Sequence, residues 1–148
     1  MASVKWEVGT DTTVMSTELN SLGDQAQAVA SSAYDNSTGL YLFADVEWKH
    51  AALGYTPNAG SVIELYLIRV LLAGGGTYED GDNSIAPPAS NLVGVFNIRS
   101  STAAQVHILR AIPIPPDQYK WLVINRTGGA LASSGNTLRQ KPLRYQTV

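Results

Sequence analysis

Apolar and polar residues alternate along most of this 148-residue chain with a period of two, which is typical of β-strands that have one buried face. Between Leu40 and Trp48 one face of the predicted strand is apolar throughout, and the other begins apolar and ends charged. Between Val62 and Leu72 both faces are apolar apart from Glu64 and Arg69, which predicts a central strand covered on both sides. The same pattern predicts further strands, about eight in all, at Val4–Val8, Gln25–Ser31, Leu92–Arg99, Gln105–Arg110, Tyr119–Asn125 and about Asn136–Arg139.

Turn-forming phrases separate the predicted strands, because Gly, Asn and Asp tolerate positive φ and Pro restricts φ. They lie at residues 35–39, 56–60, 112–117 and 126–129. The longest irregular segment, Gly74 to Pro88, is rich in Gly, Asp, Asn and Pro, and we predict a mobile surface loop there. Helix is indicated only from Met15 to Leu22, where three apolar residues share a face and Gly23 provides a stop.

These elements predict an all-β fold, an antiparallel jelly-roll-like β-sandwich of about eight strands. The length fits one domain, with residues 1–33 as an N-terminal strand or arm, with or without the short helix, and residues 34–148 as the sandwich. The absence of cysteine excludes disulfides and thiolate chemistry and fits assembly in a reducing cytoplasm. The first residues do not resemble a signal peptide, and charges interrupt the most apolar segment, so we expect a soluble protein without a membrane partner.

The two halves of the chain differ in charge, although the net charge is only −2. Residues 1–94 contain eleven of the twelve acids and three of the ten bases, whereas residues 95–148 contain seven bases and only Asp117 as an acid. Strands from both halves could interleave and cancel this asymmetry in space. Alternatively, the second half could form a basic face that meets an acidic partner.

The sequence contains no catalytic motif. His50 and His107 are the only histidines, and neither lies in a metal-binding frame. No serine lies in a GxSxG phrase, and Gly74-Gly75-Gly76 is followed by acidic residues that would repel phosphate. We therefore expect a protein that is not an enzyme and needs no cofactor. Nucleic acid is not expected as a partner either, because the pI is near 5.6 and bases beside aromatic residues are sparse.

One loop carries a candidate site. Hard oxygen ligands around a glycine turn can hold calcium, although the EF-hand spacing is absent and a solvated acidic loop is the alternative interpretation. An exposed tyrosine beside acids and an asparagine is also typical of a glycan contact. The residues concerned are Tyr78, Glu79, Asp80, Asp82 and Asn83.

Several phrases between about residues 34 and 142 resemble a family of small virion structural proteins of tailed bacteriophages, the jelly-roll decoration or cement proteins. The matching phrases are Asp35-Asn36-Ser37-Thr38, the run from Leu40 to Glu47, Ala59-Gly60-Ser61 with Glu64-Leu65-Tyr66-Leu67, Tyr78-Glu79-Asp80-Gly81, Ile114-Pro115-Pro116 before Tyr119-Lys120, Asn125 with Thr127-Gly128, and the run from Ser134 to Leu138. Residues 1–33 have no counterpart. The resemblance implies a protein on the outer capsid surface of the virion, made in the bacterial host cytoplasm, that clamps neighbouring major capsid protein subunits, often as a dimer near a twofold axis.

We therefore expect capsid stabilisation as the function, with the major capsid protein and a second copy of this chain as partners. The basic residues Arg139, Lys141 and Arg144 are the candidate capsid contacts. The strand around Leu40–Trp48 and the apolar termini are the candidate surfaces for a homodimer or another small homo-oligomer. The alternatives are a tail or fibre module that binds host glycans, a small jelly-roll enzyme that would need a metal, and another virion component such as a head–tail connector.

Overall fold

The structure, a computed structural model, describes residues 3–72 and 76–147. Two single turns of 3₁₀ helix lie at Thr17–Leu19 and Ala89–Asn91. The described residues form ten strands: β1 Val4–Val8, β2 Thr12–Met15, β3 Gln27–Val29, β4 Tyr34–Asp35, β5 Phe43–His50, β6 Val62–Arg69, β7 Leu92–Asn97, β8 Gln105–Pro113, β9 Gln118–Arg126 and β10 Thr137–Thr147.

The strands form two five-stranded antiparallel sheets. In sheet A the short strands β1 and β2 lie one after the other along β10, and β5 and β8 follow on its other side. In sheet B the short strands β3 and β4 likewise lie along β9, followed by β6 and β7. With each pair of short strands counted as one position, the sheets have four positions each, and the chain passes between them in the order of a jelly roll. The predicted all-β sandwich is confirmed.

The core between the sheets is filled by alternate residues of the central strands. On β5 these residues are Ala44, Val46 and Trp48, and the Trp48 ring stacks at 6.1 Å between centroids on Phe96 of the opposite sheet. The predicted apolar face of this strand is therefore confirmed from Ala44 onward.

Strand β5 has no free edge, because it lies between β10 and β8. The expectation that the strand around Leu40–Trp48 is an edge for a second copy to cover is therefore wrong. Leu40 and Leu42 come before β5 and are exposed, so they do not extend its buried face.

A buried hydrogen-bond network joins the two sheets in the core. The side-chain oxygen of Gln140, on β10, accepts hydrogen bonds from the Tyr119 hydroxyl at 3.0 Å and from the Trp121 indole nitrogen at 2.6 Å. Both donors lie on β9 of the other sheet, and all three residues are at most 1% exposed. Burial raises the pKa of Tyr119, so its hydroxyl stays protonated and remains a donor.

Strand β10 is much longer than the pattern predicts, because the sequence indicates a strand only to about Arg139. The misleading residue is Pro142, which lacks an N–H group and normally argues against a central strand. Here Pro142 lies where one neighbour of β10 ends and the next begins. Gln140, before it, pairs with Thr12 of β2, and Leu143, after it, pairs with Val8 of β1. A proline is tolerated there because neither short strand needs its N–H.

Of the two alternatives for the N-terminal residues, a strand or an arm, the structure has strands, because β1 and β2 belong to sheet A and β3 to sheet B. The helix predicted from Met15 to Leu22 is wrong, since only the turn Thr17–Leu19 is helical and Ser21 has a positive φ of 54°. The predicted apolar face is nevertheless correct, because Met15, Leu19 and Leu22 are all buried in the core.

Three buried asparagines hold the turns that connect the strands. The amide nitrogen of Asn36 donates to the carbonyls of Tyr41 and Pro115 at 2.8 and 2.7 Å. The amide nitrogen of Asn136 donates to the carbonyls of Leu19 and Ala132, and that of Asn125 donates to the carbonyls of Leu22, Gly23 and Gly129. These asparagines lie in the phrases that carry the sequence resemblance, so that part of the resemblance rests on residues that shape turns.

Candidate functional site: an exposed aromatic patch

Apolar side chains cluster on the outer face of sheet A, away from the core. The pairing of β1, β10 and β5 places Trp6 opposite Tyr145, and Leu143 between Val8 and Phe43. The ring centroids of Trp6 and Tyr145 are 4.5 Å apart, and Phe43 lies 6.3 Å from each of them. We call this cluster the aromatic patch; it consists of Val4, Trp6, Val8, Phe43, Leu143 and Tyr145.

The aromatic patch is open to solvent. Four of its six side chains are half exposed or more, from 50% at Trp6 to 66% at Val4. The alternation in β1 is therefore inverted, because its apolar residues face solvent. Clusters of exposed apolar side chains can mark interaction sites on soluble proteins, and Trp and Tyr are among the residues most enriched where protein interfaces gain their affinity.

The outer face of sheet B is not open in this way, because a loop of the same chain covers it. Tyr66 and Ile68 of β6 and Leu122 of β9 form a second buried cluster under the segment that follows β6. Gly81 of that segment has φ +114°, and a Cβ atom there would lie 2.9 Å from Ile68. The prediction that β6 is covered on both faces is confirmed from Leu65 to Ile68. The strand ends at Arg69, however, and Leu71 and Leu72, which the pattern includes in it, are exposed. Sheet A is the sheet whose apolar outer surface lacks a cover among the described residues.

This covering loop contains the five candidate loop residues, and the side chains of four of them, all except Asp80, form contacts within the fold. Glu79 accepts hydrogen bonds from the Arg69 N–H at 3.0 Å and from Asn91 at 2.9 Å. Asp82 forms an ion pair of 2.6 Å with Lys120, whose ammonium lies 4.5 Å from the centroid of the Tyr78 ring.

The described part of the loop packs against sheet B, and most of its residues are exposed, as expected of a surface loop. Tyr78 forms an isolated β-bridge with Val70 and is partly buried. Asn83 accepts a hydrogen bond from the Ile85 N–H within the turn, and Asp80 is exposed. Residues 73–75, which include Gly74 and Gly75 of the glycine run, lie outside the described residues.

The three basic residues predicted to contact the capsid are not equivalent. Arg139 and Lys141 lie on the outer face of sheet A, in the same row of β10 as Leu143 and Tyr145. Arg139 forms an ion pair of 2.6 Å with Asp11. Lys141 is exposed and forms no ion pair with any residue the structure describes.

Arg144 points to the other face of β10, is partly exposed, and is held by partners of the same chain. It forms an ion pair of 2.6 Å with Glu7, donates to the Gly39 carbonyl at 2.6 Å, and lies 5.2 Å from the centroid of the Tyr41 ring. The hydrogen bond between the two charged groups lowers the pKa of Glu7 and raises the pKa of Arg144. Arg144 therefore fastens β1 to the sandwich and does not offer a free charge to a partner.

The charge asymmetry along the sequence is cancelled in space. Five of the seven bases in residues 95–148 form ion pairs with acids of residues 1–94. The interpretation in which strands of the two halves interleave is confirmed, and the alternative of a basic face is wrong. The five pairs are Arg110–Asp45, Lys120–Asp82, Arg126–Glu64, Arg139–Asp11 and Arg144–Glu7.

The two histidines lie on neighbouring strands at one end of the core. His50 is buried and its Nδ1 lies 2.8 Å from the carbonyl oxygen of Ala51, whereas His107 contacts Gln105 at 3.2 Å. Burial lowers the pKa of both histidines. Within residues 3–72 and 76–147 no three His, Cys, Asp or Glu side chains come together as a metal site, and no helix is long and apolar enough to cross a membrane.

Comparison with known proteins adds little to this description. No protein-family model matches the chain, and no curated protein sequence matches it. Among solved structures, a family two carbohydrate esterase from Cellvibrio japonicus is similar over 100% of this chain, with 11% sequence identity and a TM-score of 0.27. The chain spans 36% of the length of that esterase chain.

Proposed function

We propose that this protein is a decoration protein of a tailed-bacteriophage capsid, which binds the outside of the assembled head and clamps neighbouring major capsid subunits through the aromatic patch. The observation that carries the proposal is an apolar, aromatic surface left open on one sheet while the other sheet is covered by the protein's own loop. The phrases of residues 34–142 that resemble the decoration family supply the choice of partner.

The aromatic patch replaces the basic residues as the main proposed contact. Burying exposed apolar surface contributes about 25 cal/mol per Å², whereas an exposed ion pair contributes at most about 1 kcal/mol. Lys141 borders the aromatic patch and remains a proposed rim contact, where its charge would mainly speed association. Arg139 and Arg144 hold Asp11 and Glu7, so replacing them would disturb the fold as well as the surface.

A structural role of this kind needs contact area and no reaction. Decoration of a symmetric shell repeats the same contact at every equivalent site, so its stabilising effect adds up over the particle. We propose accordingly that the protein is not an enzyme. The loop that would carry a glycan site has Tyr78 beneath Lys120 and Asp82 in an ion pair, so no specific observation favours the host-binding alternative.

The proposal is tested by adding purified protein to phage heads that lack it and measuring occupancy by gel densitometry. Truncation of an aromatic residue at the centre of an interface typically costs about 2 kcal/mol or more, which corresponds to about a thirtyfold loss of affinity. We expect that loss for Trp6→Ala and Tyr145→Ala, and a small loss for Lys141→Ala. The matched control is Ile85→Ala, which removes an exposed apolar side chain elsewhere.

Circular dichroism and thermal unfolding establish that each variant is folded before binding is compared. Heads that carry the protein should burst at a higher temperature than bare heads, and the protein should bind assembled heads much better than free capsid subunits. Full occupancy by both aromatic variants would exclude the aromatic patch as the contact. Equal stability of heads with and without the protein would exclude the capsid-stabilising function.

A further inference from the structure

The sandwich has four sheet edges, and each contains a break, a very short strand or a register shift. The edge formed by β1 and β2 is broken between Val8 and Thr12, and the edge formed by β3 and β4 consists of two very short strands. The edge at β7 has a register shift and contains Gly94, where a Cβ atom would lie only 2.7 Å from the Leu109 side chain. Strand β8 is the longest of these edge strands, and it pairs with β5 alone among the described strands.

The first five residues of β8 lack the devices that protect an edge. Natural edge strands are guarded by charges, prolines and bulges, and in β8 these occur only later, at Arg110, at the bulge near Ala111 and at Pro113. Residues 100–109 contain no Lys, Arg, Asp or Glu. On the outer face of this segment Val106 and Ile108 are 55% and 46% exposed.

We propose that this edge binds a second copy of the same chain, with the two β8 strands antiparallel around a twofold axis at His107. The outer faces of the two copies lie on the same side of the joined sheet only if the twofold axis passes between a residue of β8 and the same residue of the second copy. We call that residue the centre of the pair. A centre at 107 places Val106 opposite Ile108 of the second copy, and Arg110 opposite the small Ala104. A centre at 108 would instead place Val106 opposite Arg110, which would bury a charge beside an apolar side chain.

Self-pairing also explains why the segment is uncharged. In a twofold interface each residue meets its own copy or a near neighbour, so any charge on the edge would lie close to an identical charge. Backbone hydrogen bonds along the edge supply the contact, as in other cases where a strand is added to a sheet.

The consequence for function rests on the proposed capsid binding. A twofold axis perpendicular to sheet A would join two copies into one continuous sheet with both outer faces on the same side. The aromatic patch lies at the edge opposite β8, so a dimer would present two such patches, one at each end of the joined sheet. Two linked contacts bind far more tightly than one when their targets are correctly spaced.

The test uses the isolated protein without capsids, so its result does not depend on the proposed function. The chain contains no cysteine, so Val106→Cys and Ile108→Cys introduce the only thiols. Opposite residues in an antiparallel pair have Cα atoms about 4.5 to 5.5 Å apart, which a disulfide can span. Mixing the two single variants under mild oxidation should give cross-linked heterodimers in high yield, whereas each variant alone should give few.

Sedimentation equilibrium provides the second measurement. The double variant Val106→Lys with Ile108→Lys places like charges directly opposite each other, which is destabilising, and we expect the dimer dissociation constant to rise about tenfold or more. The matched control is Leu72→Lys with Ile85→Lys, at two exposed apolar positions away from β8, and it should leave the constant unchanged. A wild-type protein that stays monomeric across the concentration series, or a mixture that cross-links no better than the single variants, would overturn the proposal.

Discussion

The hydrogen-bond network that joins the two sheets allows a quantitative prediction for Gln140→Met. Methionine is close to glutamine in size and flexibility, so the substitution removes the shared acceptor of Tyr119 and Trp121 without opening a large cavity. Both donors are almost completely buried, and Gln140 is the hydrogen-bond partner of each side chain. After the substitution neither donor can reach water without distorting the core.

The expected cost follows from these two donors. A buried donor left without a partner costs about 1 to 3 kcal/mol. The amide nitrogen of Gln140 is itself buried without a hydrogen-bond partner in the described structure. Methionine lacks this group, so the substitution also removes one unsatisfied donor, which offsets part of the cost. We therefore expect the free energy of unfolding to fall by about 1 to 4 kcal/mol, a large fraction of the stability of a domain this size.

The measurement is equilibrium unfolding in urea, followed by circular dichroism and tryptophan fluorescence to check that a single transition is seen. Tyr119→Phe removes one donor in advance, so Gln140→Met should cost less in that background, with a coupling of about 0.5 kcal/mol or more. The control is Gln146→Met, an exposed glutamine on the same strand, which should change little. Additive effects of the two core substitutions, or a Gln140→Met cost no larger than that of the control, would refute this explanation.

Three further predictions concern local features. Ala111 has φ 52° at the β8 bulge, so Ala111→Gly should raise the free energy of unfolding by about 0.5 to 1 kcal/mol, and a lower urea midpoint would contradict this. Burial alone would raise the pKa of Glu18, but hydrogen bonds from Ser31 and from the backbone lower it to about 2. Because this carboxylate is protonated more readily in the unfolded chain, its contribution to the free energy of unfolding should be full above about pH 4.5 and should be lost towards about pH 2. Glu18→Gln should reduce this loss of stability in acid, and identical pH profiles of the variant and the wild type would exclude the effect. Burial lowers the pKa of His50 from its ordinary value of 6.5. The contribution of the neutral His50 to the free energy of unfolding should therefore be full above pH 6.5 and decrease below it. His50→Asn, which keeps a donor for the Ala51 carbonyl, should flatten this decrease in acid-titrated thermal unfolding, and an unchanged slope would show that His50 does not cause it.

The sequence predicts the interior strands well because their side chains obey one simple constraint. Strand β5 alternates because only one of its faces is covered, and β6 is apolar on both faces because both are covered over much of its length. The pattern predicts too short a strand β10 because Pro142 and three charges occur in it, and only the arrangement of its neighbours makes these residues acceptable. Strands β2 and β4 are too short to produce a recognisable period.

The candidate site was harder to predict, because its residues are defined by partners that are distant in sequence. The alternation of Val4, Trp6 and Val8 is visible in the sequence, but nothing local shows that this face of an edge strand points to solvent. Arg139 and Arg144 likewise look unneutralised until β10 is placed beside the strands that carry Asp11 and Glu7. The spacing between these partners exceeds 120 residues in each case, which no local pattern spans.

The order of the strands also determines how the chain can fold while it is being synthesised. Strand β9 separates β3 and β4 from β6, and β10 separates β1 and β2 from β5, yet both central strands follow all of their neighbours in the chain. A growing polypeptide that has reached the end of β8 therefore has pairs such as β6 with β7 and β5 with β8, but neither sheet can join its two sides. Such long-range pairings form slowly and leave strand edges unpaired in the meantime. Translation of residues 118–147 is thus the step that converts two incomplete sets of strands into a sandwich, and a ribosome that stalls before it would hold an aggregation-prone chain.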